Sequence, residues 1–111
     1  MEKLIETIIE WGDEKGINNP EKQFQKLAEE MLEAHEEYVC VSYGLSDHYN
    51  LSLELGDIGV VWVLLCDMLG VKPQEALEAA HNKNKNRKGK TINGNFIKEE
   101  DLIDGDKEGK V

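Results

Sequence analysis

Between Leu53 and Leu69 the chain is apolar almost all round: Leu55, Ile58, Val60, Val61, Trp62, Val63, Leu64 and Leu65 leave no continuous polar face. A helix with that pattern must be buried or shared with a second subunit. The β-branched residues would also permit a strand, but the length of the run and the stop at Gly70 favour a helix. Near its start sit the carboxylates Glu54 and Asp57. Positions three apart on a helix share a face, with Cβ atoms roughly 5–6 Å apart. The preceding helical pattern carries a matching pair, Glu30 and Glu33. If both helices belong to one bundle, four carboxylates converge. Like charges that close repel, and burying them unpartnered costs several kcal/mol. A divalent cation is the usual remedy, and hard oxygen ligands suit Mg²⁺, with Mn²⁺ as a substitute.

The rest of the chain reads as helices around this pair. Leu4, Ile5, Ile8, Ile9 and Trp11 follow helical spacing and predict a first helix from about Lys3 to Lys15, stopped by Gly16. Trp11 is expected in the core. Asn18-Asn19-Pro20 is a strong helix start, because Asn caps and Pro suits the first helical position. The second helix is expected to end between Ser42 and Gly44. Its apolar stripe is Phe24, Leu27, Ala28, Met31, Ala34 or His35, and Tyr38. Beside it runs a polar stripe, Gln23, Lys26, Glu30, Glu33 and Glu37, expected to flank the buried face and border a cleft. His35, near the apolar face, is expected to be a hydrogen-bonded core histidine.

Asp47, Asn50 and Ser52 all offer caps for the third helix, so its start is open by several residues. Glu54 and Asp57 are expected in its first turns, where anions are best tolerated. Gly56 and Gly59 are expected to permit close helix packing. Pro73 opens a fourth helix that runs to about Arg87. Asn93-Gly94 between short apolar pairs is a hairpin signal. The expected architecture is all-α, a four-helix antiparallel bundle with a short C-terminal hairpin and tail. A helical domain over 1–98 and a charged tail over 99–111 complete that expectation.

Charge distribution narrows the function. The net charge of −10 argues against general nucleic-acid binding, which needs a basic surface. Residues 27–71 hold nine acids and no Lys or Arg, while 81–98 hold six bases and no acid. A small polyanion, held by a metal at one end and by cations at the other, suits both blocks. Two cysteines, Cys40 and Cys66, make no disulfide framework and read as small core residues. The N-terminus lacks the basic start and apolar core of a signal peptide, and no apolar run reaches membrane length. A reduced, cytoplasmic protein with no membrane partner is expected. The apolar third helix predicts a homodimer or homotetramer.

Glu29-Glu30-x-x-Glu33 followed, after 20 intervening residues, by Glu54-x-x-Asp57 resembles the MazG-like nucleotide pyrophosphohydrolases of the all-α NTP pyrophosphatase superfamily. The resemblance runs from about Trp11 to Lys98. It implies a bundle of that type and a Mg²⁺-dependent enzyme that cleaves a nucleoside triphosphate to the monophosphate and pyrophosphate. By the resemblance, Glu30, Glu33, Glu54 and Asp57 match the metal ligands. Glu29 matches the first Glu of the motif and orients a ligand or water. Glu33 or Glu54 would serve as general base. Gln23 and Lys26 resemble a polar pair that contacts base and phosphate. The segment from Asn82 through Lys85 and Arg87 resembles a Lys/Arg stretch that meets triphosphate oxygens. Arg87 would bind in a forked way and Lys85 as a point charge.

Two other readings compete. Glu78-x-x-His81 has the spacing of di-iron carboxylate bundles, which need two such motifs where this chain has one. A non-catalytic helical binding module would use the third helix for dimerisation, but has no need of paired carboxylates on a buried helix.

Overall fold

A computed structural model describes residues 1–103. It is mostly helical, with four helices and one two-stranded sheet. The helices are α1 (Glu2–Glu14), α2 (Pro20–Ser42), α3 (His48–Met68) and α4 (Pro73–Lys85). They are followed by β1 (Gly89–Ile92), β2 (Asn95–Lys98) and a 3-10 turn, Glu99–Asp101. An all-α bundle is compatible with these elements. Two compact units divide the chain: Met1–Glu75, and a second that starts at Ala76 within α4. The charged residues expected to form the end of the tail, 104–111, lie outside the described residues.

Local chemistry sets the boundaries in the first unit. The Asn19 side chain accepts from the Lys22 amide at 3.1 Å, and Pro20 is the first helical residue of α2. Gly44 and Gly70 take positive φ, 73° and 70°, and close α2 and α3 in the same way. Leu45 N–H reaches back to the Cys40 carbonyl, and Val71 N–H to that of Cys66. Of the three candidate caps for α3, Asp47 is used: it accepts from the Asn50 amide at 2.9 Å. Asn50 and Ser52 are spent on Ser46 and on the His48 carbonyl. Starting at His48 adds a turn, so Glu54 and Asp57 lie in the second and third turns, not the first.

The short link between α2 and α3 makes them antiparallel neighbours. Pairings along them run in opposite senses: Gln23 meets Val61, Glu30 meets Glu54, and Glu37 meets Ser46. The core of this unit is Ala34, Val61, Val63, Leu64, Leu65 and Cys66. Gly12 of α1 presses on Leu64, so closely that a Cβ there would stand 2.5 Å from Leu64 Cδ2. Cys40 is half-buried and Cys66 buried, both free.

Several expectations about the buried face need correction. On α2 the line that faces α3 is Gln23, Leu27, Glu30, Ala34 and Glu37. The inner face thus mixes the two stripes: Gln23, Glu30 and Glu37 of the polar one lie on it with Leu27 and Ala34 of the apolar one, while Lys26 and Glu33 stay exposed. Phe24, Met31 and Tyr38, expected inside, are each more than half exposed. His35 is exposed as well and stacks on Tyr38, with ring centroids 6.4 Å apart. Trp11 is 45% exposed rather than core. A Cβ placed on Gly56 or Gly59 would meet no neighbouring atom within 4 Å, so among the described residues neither glycine is a point of close packing.

The second unit is built around the hairpin. β1 and β2 pair antiparallel, with Gly89 opposite Lys98 and Ile92 opposite Asn95. Asn93 and Gly94 both have positive φ, 52° and 81°, as a two-residue turn of the twist-matching kind requires. Glu99 N–H donates to the Lys88 carbonyl, and Leu102 is buried.

Candidate metal centre

Glu30 and Glu33 come from the middle of α2, and Glu54 from the second turn of α3. One carboxylate oxygen from each lies within 4.8 Å of the other two. Glu30 is buried, at 6% exposure, Glu54 is half-buried and Glu33 is exposed. One face of the group is thus closed by protein and the other opens to solvent.

The environment of these acids is poorly compensated. Oε2 of Glu30 and Oε2 of Glu54 are both buried and have no hydrogen-bond partner among the described residues. A buried unsatisfied polar atom costs about 1–3 kcal/mol, and more when charged. Burial raises the Glu54 pKa above its ordinary value, and the charges of Glu33, Asp57, Glu30 and Glu37 push it further in the same direction. Two orphaned oxygens from two helices, in a group of three hard oxygen donors, fit a divalent cation of the Mg²⁺ or Mn²⁺ type. Three protein carboxylates also leave coordination positions for water or phosphate oxygens.

Around the group, Lys26 Nζ lies 3.1 Å from Glu30 Oε1 and 4.0 Å from Glu29. The hydrogen bond to Glu30 holds the Lys26 pKa above its usual value. Glu37, next along the inner face, accepts a hydrogen bond from the Ser46 hydroxyl. Buried Gln23 donates to the Val61 carbonyl at 3.2 Å and ties α2 to α3 one end away from the acids.

A cleft of about 480 Å³ adjoins the group. Its apolar wall is Trp11, Ile17, Val60, Val61 and Leu64, and its polar wall is Lys22, Gln23, Lys26, Glu30 and Asp57. Space of that size suits a small molecule with an apolar body and an anionic end.

The structure therefore brings together Glu30, Glu33 and Glu54 and sets Asp57, Gln23 and Lys26 beside them along the cleft. Asp57 is exposed and is not one of the three converging acids. Glu29 points to the outside, 64% exposed, and among the described residues its contact is the long one to Lys26. Asn82, Lys85 and Arg87 belong to the second unit. Asn82 and Lys85 are exposed, Arg87 is half-buried, and the Asn82 carbonyl accepts from the Asn86 side chain. Glu78 and His81 also lie there and are not members of the carboxylate group. Sequence reasoning missed Lys22 and Ile17 as cleft residues. Lys22 lies four residues before Lys26, on the same helix face, and that spacing was a usable signal. Ile17 sits in the link before α2, where no periodicity points to it.

Among the described residues no helix is long and apolar enough to cross a membrane. Comparison of the chain with protein-family models, curated proteins and solved structures gave no match.

Proposed function

We propose that this protein is a Mg²⁺-dependent nucleoside triphosphate pyrophosphohydrolase of the MazG-like kind. The observation that carries the reading is the pair of buried, unpartnered carboxylate oxygens of Glu30 and Glu54, residues from different helices that belong to one three-acid group. A purely structural bundle gains nothing from them. A cation bound there would neutralise phosphate charge and render a bound water more acidic.

This chain's own residues would do the following. Glu30, Glu33 and Glu54 hold the cation, and Asp57, on the cleft wall, completes the set as the polyphosphate arrives. Glu33 is the exposed member, so a proton taken up there from the attacking water leaves directly to solvent. Glu33 is accordingly assigned the base's role; for Glu29 only the resemblance supplies a role, the orientation of a ligand or water. The water oxygen bonds to phosphorus, the bridging α–β bond breaks, and the products are a nucleoside monophosphate and pyrophosphate. The apolar wall of Trp11, Val60, Val61 and Leu64 receives the base, with Gln23 at its edge. Lys26 serves the phosphates.

The exposed line of Phe24, Met31 and Tyr38 repeats every seven residues on α2. That spacing suits packing against another helix, and a second copy of the chain is the occupant we assign. The test of the function is a panel of NTPs and dNTPs with Mg²⁺ or Mn²⁺, read by pyrophosphate release and by identifying the nucleotide product. Nucleoside monophosphate and pyrophosphate in equal amounts is the expected outcome. No turnover of any nucleotide with either metal would remove the enzyme reading.

A further inference from the structure

We propose that Lys26 is a resident counter-ion of the acidic group, displaced from Glu30 when a divalent cation binds and then available to the anion in the adjoining cleft. The inference rests on the metal-binding reading above and adds a coupling between the two ligands.

Four observations carry it. First, Lys26 Nζ lies 3.1 Å from Glu30 Oε1, while the other oxygen of the same carboxylate is buried with no partner. Glu30 is half-compensated: one oxygen holds the ammonium and the other is left to the group. Second, no other basic side chain comes from the stretch that builds the acids, since residues 27–71 contain no Lys or Arg. In the absence of a cation, Lys26 is the charge at hand to offset the acids. Third, the pair is weakly made. The Lys26 side chain is 51% exposed, so holding it still costs side-chain entropy in a wet environment. Its order along the helix, Lys four residues before Glu, is the less favourable one for an i,i+4 pair. Fourth, the ammonium has somewhere to go. Lys26 lines the cleft together with Lys22 and Gln23, and its flexible stem lets the charge turn from Glu30 to an anion there.

The electrostatics then run as an exchange. A doubly charged ion at Glu30, Glu33 and Glu54 repels a neighbouring ammonium and takes over its partner. A polyphosphate in the cleft attracts the same ammonium and leaves Glu30 freer for the ion. Each ligand therefore favours the other, and by linkage the effect is reciprocal. The lysine also discourages the ion from binding when no anion is present.

The experiment is Mn²⁺ binding to the full chain without nucleotide, read from the free-Mn²⁺ EPR signal, for the parent, Lys26→Met, Lys26→Arg and Lys22→Met. Discounted for solvent exposure, removal of the competing charge is expected to tighten Mn²⁺ binding about three- to tenfold in Lys26→Met. Lys26→Arg keeps the charge and is expected to stay near the parent. Lys22→Met removes the same charge from the same cleft wall, and is expected to change affinity less than Lys26→Met. In turnover assays Lys26→Met is expected to raise the nucleotide KM despite holding Mn²⁺ more tightly. If Lys26→Met binds Mn²⁺ equally or more weakly than the parent, the exchange is refuted while the metal site stands. If the parent itself binds no Mn²⁺, the metal reading falls and this proposal with it.

Discussion

Gly12 is where the seating of α1 on α3 can be tested most sharply. It is buried, and a Cβ built on it stands 2.5 Å from Leu64 Cδ2, 3.3 Å from Cδ1 and 3.4 Å from Cγ. The shortest of these is about 1 Å inside an ordinary carbon–carbon contact of roughly 3.5 Å. Leu64 is 4% exposed, so the methyl is admitted only if its side chain shifts towards the cleft that it lines. Overpacking of this kind costs about 1–3 kcal/mol. Replacing a helical glycine by alanine returns up to about 1 kcal/mol. Gly12→Ala is therefore expected to lose about 1 kcal/mol, and Gly12→Val, with two further methyls and a poorer helix propensity, about 2–3 kcal/mol. At about 4–8 °C of Tm per kcal/mol for a domain of this size, the alanine variant should melt roughly 5 °C below the parent. The assay is thermal and urea unfolding at one fixed protein concentration. Trp11 and Leu64 both line the cleft, so the same variants should raise the nucleotide KM more than they lower kcat. A Gly12→Val variant as stable as the parent would show that α1 is not held by this contact, and the cleft wall that Trp11 contributes would lose its support.

Three further outcomes follow from the site and its surroundings. Glu54→Gln and Asp57→Asn are expected to reduce turnover at least a hundredfold, a loss typical of a missing charge-stabilising group, while the fold persists. Thermal melts with and without Mn²⁺ check this: a Mn²⁺-induced rise in Tm is expected for the parent and is expected to be lost in Glu54→Gln. Glu54 also sets a pH dependence. Burial, then Glu33, Asp57, Glu30 and Glu37, raises its folded pKa above the ordinary 4.5. The folded state thus holds that proton more tightly, so its contribution to stability is present below 4.5 and lost as pH climbs through the raised value. Urea melts in EDTA should show stability falling over that window in the parent and a flatter profile in Glu54→Gln; equal slopes would refute the assignment. Sedimentation at micromolar concentration should show a dimer, and Met31→Lys, in the middle of the exposed α2 line, should yield monomers.

What the chain reveals of itself depends on whether the deciding interaction is local. Asn19-Pro20 and Gly44 bound α2 as expected, because cap, ring and positive φ are settled within a few residues. Asn93-Gly94 made the hairpin for the same reason. The start of α3 was undecided because three side chains could cap, and the choice fell to Asp47 once Ser46 and the His48 carbonyl had claimed the other two. The convergence of Glu30 and Glu33 with Glu54 was legible too, since spacing put each on a face and the short link made the helices neighbours. The orientation of α2 was not. Apolar periodicity pointed Phe24, Leu27, Met31, Ala34 and Tyr38 at the core, whereas the chain turns Leu27 and Ala34 inward with Gln23, Glu30 and Glu37 and leaves the other three outside. Patterning rules assume that one chain buries its own apolar surface, and a helix that turns carboxylates inward breaks that assumption. Places where a local rule fails tend to be functional, and here the failure is specific: a glutamate occupies an inner position where a leucine would pack without penalty. Its neighbour Glu54 does the same from α3. Two such choices opposite each other, each leaving an orphaned oxygen, are what a bundle selected for stability alone would discard. The same displacement leaves Phe24, Met31 and Tyr38 outside, and their heptad spacing suits the partner helix proposed above. The position of the basic run was beyond sequence reasoning for a different reason. Its charge is plain from composition, but nothing local fixes which way a helix end and a hairpin turn.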